Sequence, residues 1–271
     1  MNAENYADMN SPTTKLITTK LFGLNICNMR FAEANQHLLE VAGLRDHASR
    51  VVVTPNVDHM TKLEYEPAFK TLYATSDYIF ADGMPIIWAS KMCALPLPER
   101  VTGADLFVSL CRGCIEKDMS IFVLGGMPGQ ESLLLESFAK AYPGLKVDIF
   151  CPSMQFTADG AESDLALQRI QAAKPNILFI CLGMPKQERL AFRYREQFTT
   201  DNVPLILCVG AAMEFALGQK KRAPLWMQKI GMEWFWRLAS EPRRLWQRYT
   251  TQAWRFVGLL LRERKIQKQM R

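Results

Sequence analysis

Ser120-Ile121-Phe122-Val123-Leu124-Gly125-Gly126-Met127-Pro128-Gly129-Gln130, with the helical periodicity that continues over residues 130–141, is the stretch that decides the fold of this chain. An apolar run of strand length ends in a glycine-rich turn and passes straight into a helix. The same succession recurs on both sides. Apolar, β-branched runs occupy 50–54, 77–81, 145–150, 176–182 and 204–209, and segments of helix length cover 105–117 and 159–173. Alternation at this spacing predicts parallel βαβ units, hence an α/β, Rossmann-like fold: a parallel sheet with helices on both faces. No fixed-period repeat or low-complexity linker breaks the pattern.

A hydrophobic content of 49% over 271 residues can supply one large core. The seven cysteines are an odd number, and most stand in apolar runs, as reduced and buried thiols do; a cytosolic compartment follows. Cys111 and Cys114 have redox-motif spacing but no second pair and no nearby histidine, so they read as core. The acidic N-terminus lacks a basic stretch leading into an apolar one, which argues against a secretory signal; residues 1–14 read as a mobile tail. No apolar run approaches the roughly 20 residues needed to span a bilayer, so any membrane contact would be peripheral.

In a parallel α/β sheet, ligands bind beyond the carboxyl ends of the strands. The residues there are Thr54-Pro55-Asn56, Ala81-Asp82-Gly83, Gly125-Gly126-Met127-Pro128-Gly129, Gly183-Met184-Pro185-Lys186-Gln187-Glu188 and Gly210-Ala211-Ala212. The turn at Gly125 and Gly126 could hold a diphosphate on its backbone N–H groups, or be a tight turn and no more. Asp148 lies about where a dinucleotide-binding acid would be sought, although the full fingerprint is absent. Asp82 could take a proton from a hydroxyl, or could cap the next helix. Arg100 is a candidate for meeting a departing phosphate, with a solvated surface role as the alternative. His37, His47 and His59 have no nucleophile to pair with. Asp-x-Asp occurs nowhere, so no divalent metal and no cofactor is expected, and leaving-group charge would fall to Arg, Lys or backbone N–H groups.

Beyond Gly218 the texture changes. Residues 219–271 hold 14 Lys and Arg against 3 Glu, a local charge of +11 that leaves −5 for the rest, and five of the six tryptophans lie there. Large apolar residues alternating with arginine predict a basic amphipathic helical appendage suited to an anionic lipid interface. An ordinary helix packed on its own domain or on a second subunit is the other reading. The acidic remainder of the chain argues against nucleic acid as a partner.

Taken together, the loops resemble the WecG/TagA/CpsF glycosyltransferases (glycosyltransferase family 26). Besides the stretches above, the likeness includes Val57-Asp58, Met84-Pro85, Glu99-Arg100-Val101-Thr102-Gly103-Ala104-Asp105, Arg222-Ala223-Pro224-Leu225-Trp226 and Gly231-Met232-Glu233-Trp234, and runs from about residue 20 to residue 249. The resemblance implies an inverting transfer of a hexose, N-acetylmannosamine or its uronic acid from a UDP-sugar to a polyprenyl-diphosphate-linked saccharide. The setting would be the cytoplasmic face of a bacterial inner membrane, in surface polysaccharide synthesis.

Carried over by position, it makes Asp82 the base, with Thr54 and Asn56 beside it and Arg100 and Gln187 on donor phosphates or sugar. Gly125, Gly126, Gly183, Pro185, Lys186, Glu188 and Gly210 would complete the substrate site. Independently of the resemblance, the arginines of the appendage, Arg237, Arg244 and Arg248 foremost, are expected to bind anionic lipid and the acceptor diphosphate. Many members carry Phe-Asp where this chain has Met213-Glu214. The expected organisation is a tail (1–14), a catalytic domain (15–218) and a membrane-targeting appendage (219–271), with homo-oligomerisation left open. Two other classes stand beside it: an NAD-type oxidoreductase built on the same glycine turn, and a non-enzymatic membrane-surface protein.

Overall fold

The computed structural model describes residues 16–44, 49–197, 203–220, 223–224, 226–227, 232–240 and 242–269, without the side chains of 234, 237, 240, 242–245 and 247–250. The tail expected at 1–14 lies outside the described residues, as does His47. Six strands, β3 (Arg50–Val53), β4 (Tyr78–Ile79), β5 (Ser120–Gly125), β6 (Lys146–Phe150), β7 (Ile177–Cys181) and β8 (Leu205–Cys208), form one sheet in the order β4-β3-β8-β7-β5-β6. Every neighbouring pair is parallel. All six expected runs are strands, and β4 is shorter than its run because this edge strand pairs with β3 over two residues only.

Residue parity divides the core. Val51, Val53, Phe122, Leu124, Leu178, Ile180 and Ile206 face one cluster. Val52, Ile121, Val123, Ile177, Phe179, Leu205 and Leu207 face the other. The second face is covered by α1 (Phe31–Gly43), α5 (Gly103–Glu116), α6 (Glu131–Ala141) and α9 (Ala212–Ala216). Covering the first are α2 (Val57–Tyr65), α3 (Pro67–Tyr73), α4 (Met84–Met92), α7 (Ala161–Ala173) and α8 (Lys186–Gln197). A sheet buried on both sides is what near-continuous apolar strands require.

A hairpin not among the expected strands, β1 (Thr18–Leu21) with β2 (Leu24–Cys27), joins the first cluster. Its two-residue turn, Phe22-Gly23, has both φ angles positive, 54° and 79°, the geometry that matches the strands' right-handed twist. Phe22, which takes the first of these positions, has its ring buried 5.6 Å from the ring of Phe256. Phe256 belongs to the last of two further helices, α10 (Glu233–Ser240) and α11 (Pro242–Gln269).

The 28-residue α11 is docked on the α/β unit along one side. Phe256 and Leu259 enter the core, Arg255 lies 4.7 Å over the Tyr65 ring, Arg262 pairs with Glu64 at 2.8 Å and Gln252 bonds to Asp58. Its outer side leaves Trp246, Trp254, Val257 and Leu261 exposed. No described helix is long and apolar enough to cross a membrane.

Candidate active site

Parallel strands place all six carboxyl ends on one rim, so Asp82 and the glycine turn at 125 share it. The chain leaves β3 for β4 at one edge and β5 for β6 at the other, and β7 and β8 fill the middle later. Such a divergence of connections opens a crevice at the strand ends.

Asp82 follows β4, half-buried. Its backbone N–H donates to the Pro55 carbonyl at 2.9 Å, which ties it to the end of β3. Its Oδ2 accepts from the backbone N–H of Gly103 at 3.4 Å, so the carboxylate stands at the N-terminus of α5, where an anion is stabilised. The alternative that Asp82 caps the next helix is not realised, because Gly83 is the N-cap of α4 and no side chain caps it. Gly83 has φ of 134°, a conformation that side chains rarely adopt. At α5, Thr102 caps: its Oγ1 accepts from Asp105 N–H at 3.0 Å and donates to the Asp105 carboxylate at 2.7 Å. Gly103 must lack a side chain, since a Cβ would stand 2.9 Å from Thr54 Oγ1 and 3.2 Å from Val209 Cγ1. That close approach brings Thr54, Asp82 and the end of β8 together.

Asn56 Oδ1 is spent on capping α2, accepting from Asp58 N–H at 2.9 Å and His59 N–H at 3.2 Å; its Nδ2 has no partner among the described residues. His59 Nδ1 in turn accepts from Asn56 N–H at 3.3 Å, a capping role, and His37 bonds the Tyr78 hydroxyl. Arg100 is not a solvated surface group, for its Nη1 pairs with Glu233 Oε2 at the start of α10.

Gly125 and Gly126, at φ 153° and 97°, are demanded by packing. A Cβ on the first would lie 2.7 Å from Cys181 Cβ, and one on the second 2.7 Å from Leu134 Cδ1. Beside this turn the Glu131 carboxylate accepts from Cys151 N–H at 3.2 Å, and a negative group in the first turn of α6 repels a diphosphate there. Asp148 is exposed in the middle of edge strand β6, away from the rim, and so does not stand where the acid of a dinucleotide site would.

The loop after β7 contains a cis Met184–Pro185 bond, and Gly183 in it and Lys186 at the start of α8 are exposed. Gln187 turns inward: its Oε1 accepts from Gly210 N–H at 2.9 Å, and its Nε2 donates to Glu188 Oε1 at 2.9 Å. Glu188 is 1% exposed and its Oε2 has no hydrogen-bond partner; the fully buried Tyr73 hydroxyl likewise has none. Burial pushes the Glu188 carboxyl up to about 7, against the opposing pull of Gln187 and Lys62. It pushes the Tyr73 hydroxyl well above its ordinary value, with the Glu188, Cys208 and Asp82 charges adding.

Met213 is core and Glu214 pairs with Lys220. All seven cysteines are free thiols; burial holds Cys114 up at about 12 and raises Cys111 well above its ordinary value, leaving both protonated. The side chains of Arg237 and of Arg244 and Arg248 lie outside the described residues. Roles absent from the sequence reading are those of Gly103 N–H, Glu233 and Tyr73. Only Gly103 had a local signal, the Thr102-x-x-Asp105 capping pattern.

Residues 19–270 match the description "Glycosyl transferase WecG/TagA/CpsF family". Among curated relatives, an N-acetylglucosaminyldiphosphoundecaprenol N-acetyl-beta-D-mannosaminyltransferase of Bacillus spizizenii is 28% identical over 212 residues, 78% of each chain. A Bacillus subtilis protein of the same name is 29% identical over 177 residues, 65% of each chain.

Proposed function

The chain belongs to the glycosyl transferase WecG/TagA/CpsF family, and from that premise we propose that it moves an N-acetylmannosaminyl group from a UDP-linked donor to a polyprenyl-diphosphate-linked N-acetylglucosamine, with inversion. The observation that carries this is Asp82 on the strand-end rim, beside Thr54 and Asn56 and facing the N-terminus of α5. The specificity in the two relatives' names favours N-acetylmannosamine over a neutral hexose or the uronic acid.

In this reading Asp82 accepts the proton of the acceptor hydroxyl as that oxygen attacks the anomeric carbon. The bond from that carbon to the diphosphate oxygen breaks, and its electron pair leaves with UDP. Arg100 and Lys186 meet the donor, while the buried Gln187 amide holds the Gly210 turn behind them. Placing both substrates and neutralising the leaving diphosphate supply much of the rate. Glu131 makes the rim between β3 and β8 a better place for the diphosphate than the Gly125 turn. With no Asp-x-Asp in the sequence to clamp a diphosphate through a divalent ion, the transfer we propose is metal-independent and persists in EDTA.

The outward Trp246, Trp254, Val257 and Leu261 of α11, with the appendage's basic residues, dock on an anionic leaflet at the cytoplasmic face, where the lipid-linked acceptor resides. The test is UDP release from UDP-N-acetylmannosamine with a lipid-diphosphate-linked N-acetylglucosamine. Asp82→Asn lowers kcat about 100- to 10,000-fold. Full turnover by that variant at saturating substrates removes Asp82 as the base.

A further inference from the structure

Glu188 is the most costly group buried near the rim. Its carboxylate is 1% exposed, one oxygen is unpartnered, and the neighbouring hydroxyl of Tyr73 is unpartnered too. A leucine or methionine would fill that space without desolvating a charge. What the carboxylate does contribute is direction. Gly210 N–H can only donate and an ionised carboxylate can only accept, and Gln187 stands between them. Turned over, the Gln187 amide would set N–H against N–H at Gly210 and carbonyl against carboxylate at Glu188. Both bonds would be lost.

We propose that Glu188 is a positioning residue: its carboxylate locks the buried Gln187 side-chain amide in the one orientation that accepts from Gly210 N–H, and so fixes the Gly210 turn after β8 where the rim receives the sugar nucleotide. The inference rests on the function proposed above and adds a residue that never touches substrate. The lock is proton-sensitive. The charged groups that reach the Glu188–Tyr73 pair are Lys62 of α2 and, through Tyr73, Asp82; the Cys208 thiol at the end of β8 also faces it, but burial raises that thiol well above its ordinary value and keeps it neutral. Lys62 is shared with Asp58, which it meets at 3.1 Å, so it does not neutralise Glu188 alone. With the carboxyl pushed up to about 7 by burial, it takes a proton in the neutral range. A protonated carboxyl donates as well as accepts, and the directional rule at Gln187 relaxes. Donor binding therefore weakens as pH falls through about 7.

The experiment uses the full chain, UDP-N-acetylmannosamine and the lipid-diphosphate-linked N-acetylglucosamine, from about pH 5.5 to 8.5. At the alkaline end, Glu188→Gln raises the donor KM about threefold to tenfold, the weight of one hydrogen bond, while kcat stays within about twofold. Its KM is flat across the range, whereas the wild-type KM climbs toward it as pH falls. A variant with wild-type KM and wild-type pH dependence overturns the proposal. A second readout needs no turnover: in 15N-glutamine-labelled wild type, the Gln187 side-chain resonance, assigned by its absence from Gln187→Ala, titrates around pH 7. If that resonance does not move, the lock is refuted whatever the substrate. A titrating resonance in a protein that turns over no UDP-sugar refutes the functional reading alone.

Discussion

Arg100 and Glu233 stand 133 residues apart in the chain and 2.9 Å apart in space, with side chains only 15% and 16% exposed. The pair fastens the loop that leads into α5, and so the N–H that meets Asp82, to the first residue of α10. Among the described residues Arg100 is engaged through Nη1 alone, which leaves Nη2 and Nε for a phosphate.

Removing either partner breaks a largely buried ion pair, so Glu233→Ala and Arg100→Ala each destabilise the protein, and the double variant loses less than the two singles together. The coupling expected is about 1–3 kcal/mol. Urea unfolding of the three variants measures it, and simple additivity would mean that the contact is incidental.

Glu188 makes stability depend on pH in an unusual direction for a carboxylate. Its folded-state value, about 7, lies above the ordinary 4.5, so the folded protein holds the proton more tightly than the unfolded chain does. Stability from this group is fully present below about pH 4.5 and is lost as pH rises through about 7, on the order of 3 kcal/mol in all. Glu188→Gln should therefore gain stability over wild type progressively between those limits and be the more stable protein at pH 8. Denaturation midpoints across that range decide it; parallel curves for the two proteins would contradict the assignment.

Trp254 and Phe256 lie two positions apart on α11 and face opposite ways, 79% and 7% exposed. Trp254→Ala should leave the unfolding midpoint within about 0.5 kcal/mol of wild type yet weaken sedimentation with anionic vesicles. Phe256→Ala should cost about 3–4 kcal/mol by emptying the space beside Phe22. Equal vesicle binding by the Trp254 variant would assign that face to another partner.

Much of the catalytic unit is legible without a structure. The apolar runs announce β3 through β8 because a strand buried on both faces must be apolar along its length, and glycine or proline ends each run. Asp82 is legible as a rim carboxylate for the same reason. The β1–β2 hairpin is not, since four-residue strands with polar edges carry too little period to read. Nor are the roles of Glu188 and Glu233, because each depends on a partner supplied by a different segment. The glycine pair at 125–126 is ambiguous in sequence: a phosphate cradle and a crowded turn ask for the same residue. The neighbours Cys181, Leu134 and Glu131 resolve it toward packing.

By itself, then, the sequence determined the alternation of elements, the rim on which polar residues gather and the concentration of positive charge after Gly218, since each of these follows from local period, punctuation and composition. Tertiary structure alone decided the strand order, the meeting of Asp82 with the α5 N-terminus, the burial of Glu188 behind Gln187 and the side of α11 that faces the core. Those outcomes depend on packing and desolvation between segments far apart in the chain, and no local pattern records them.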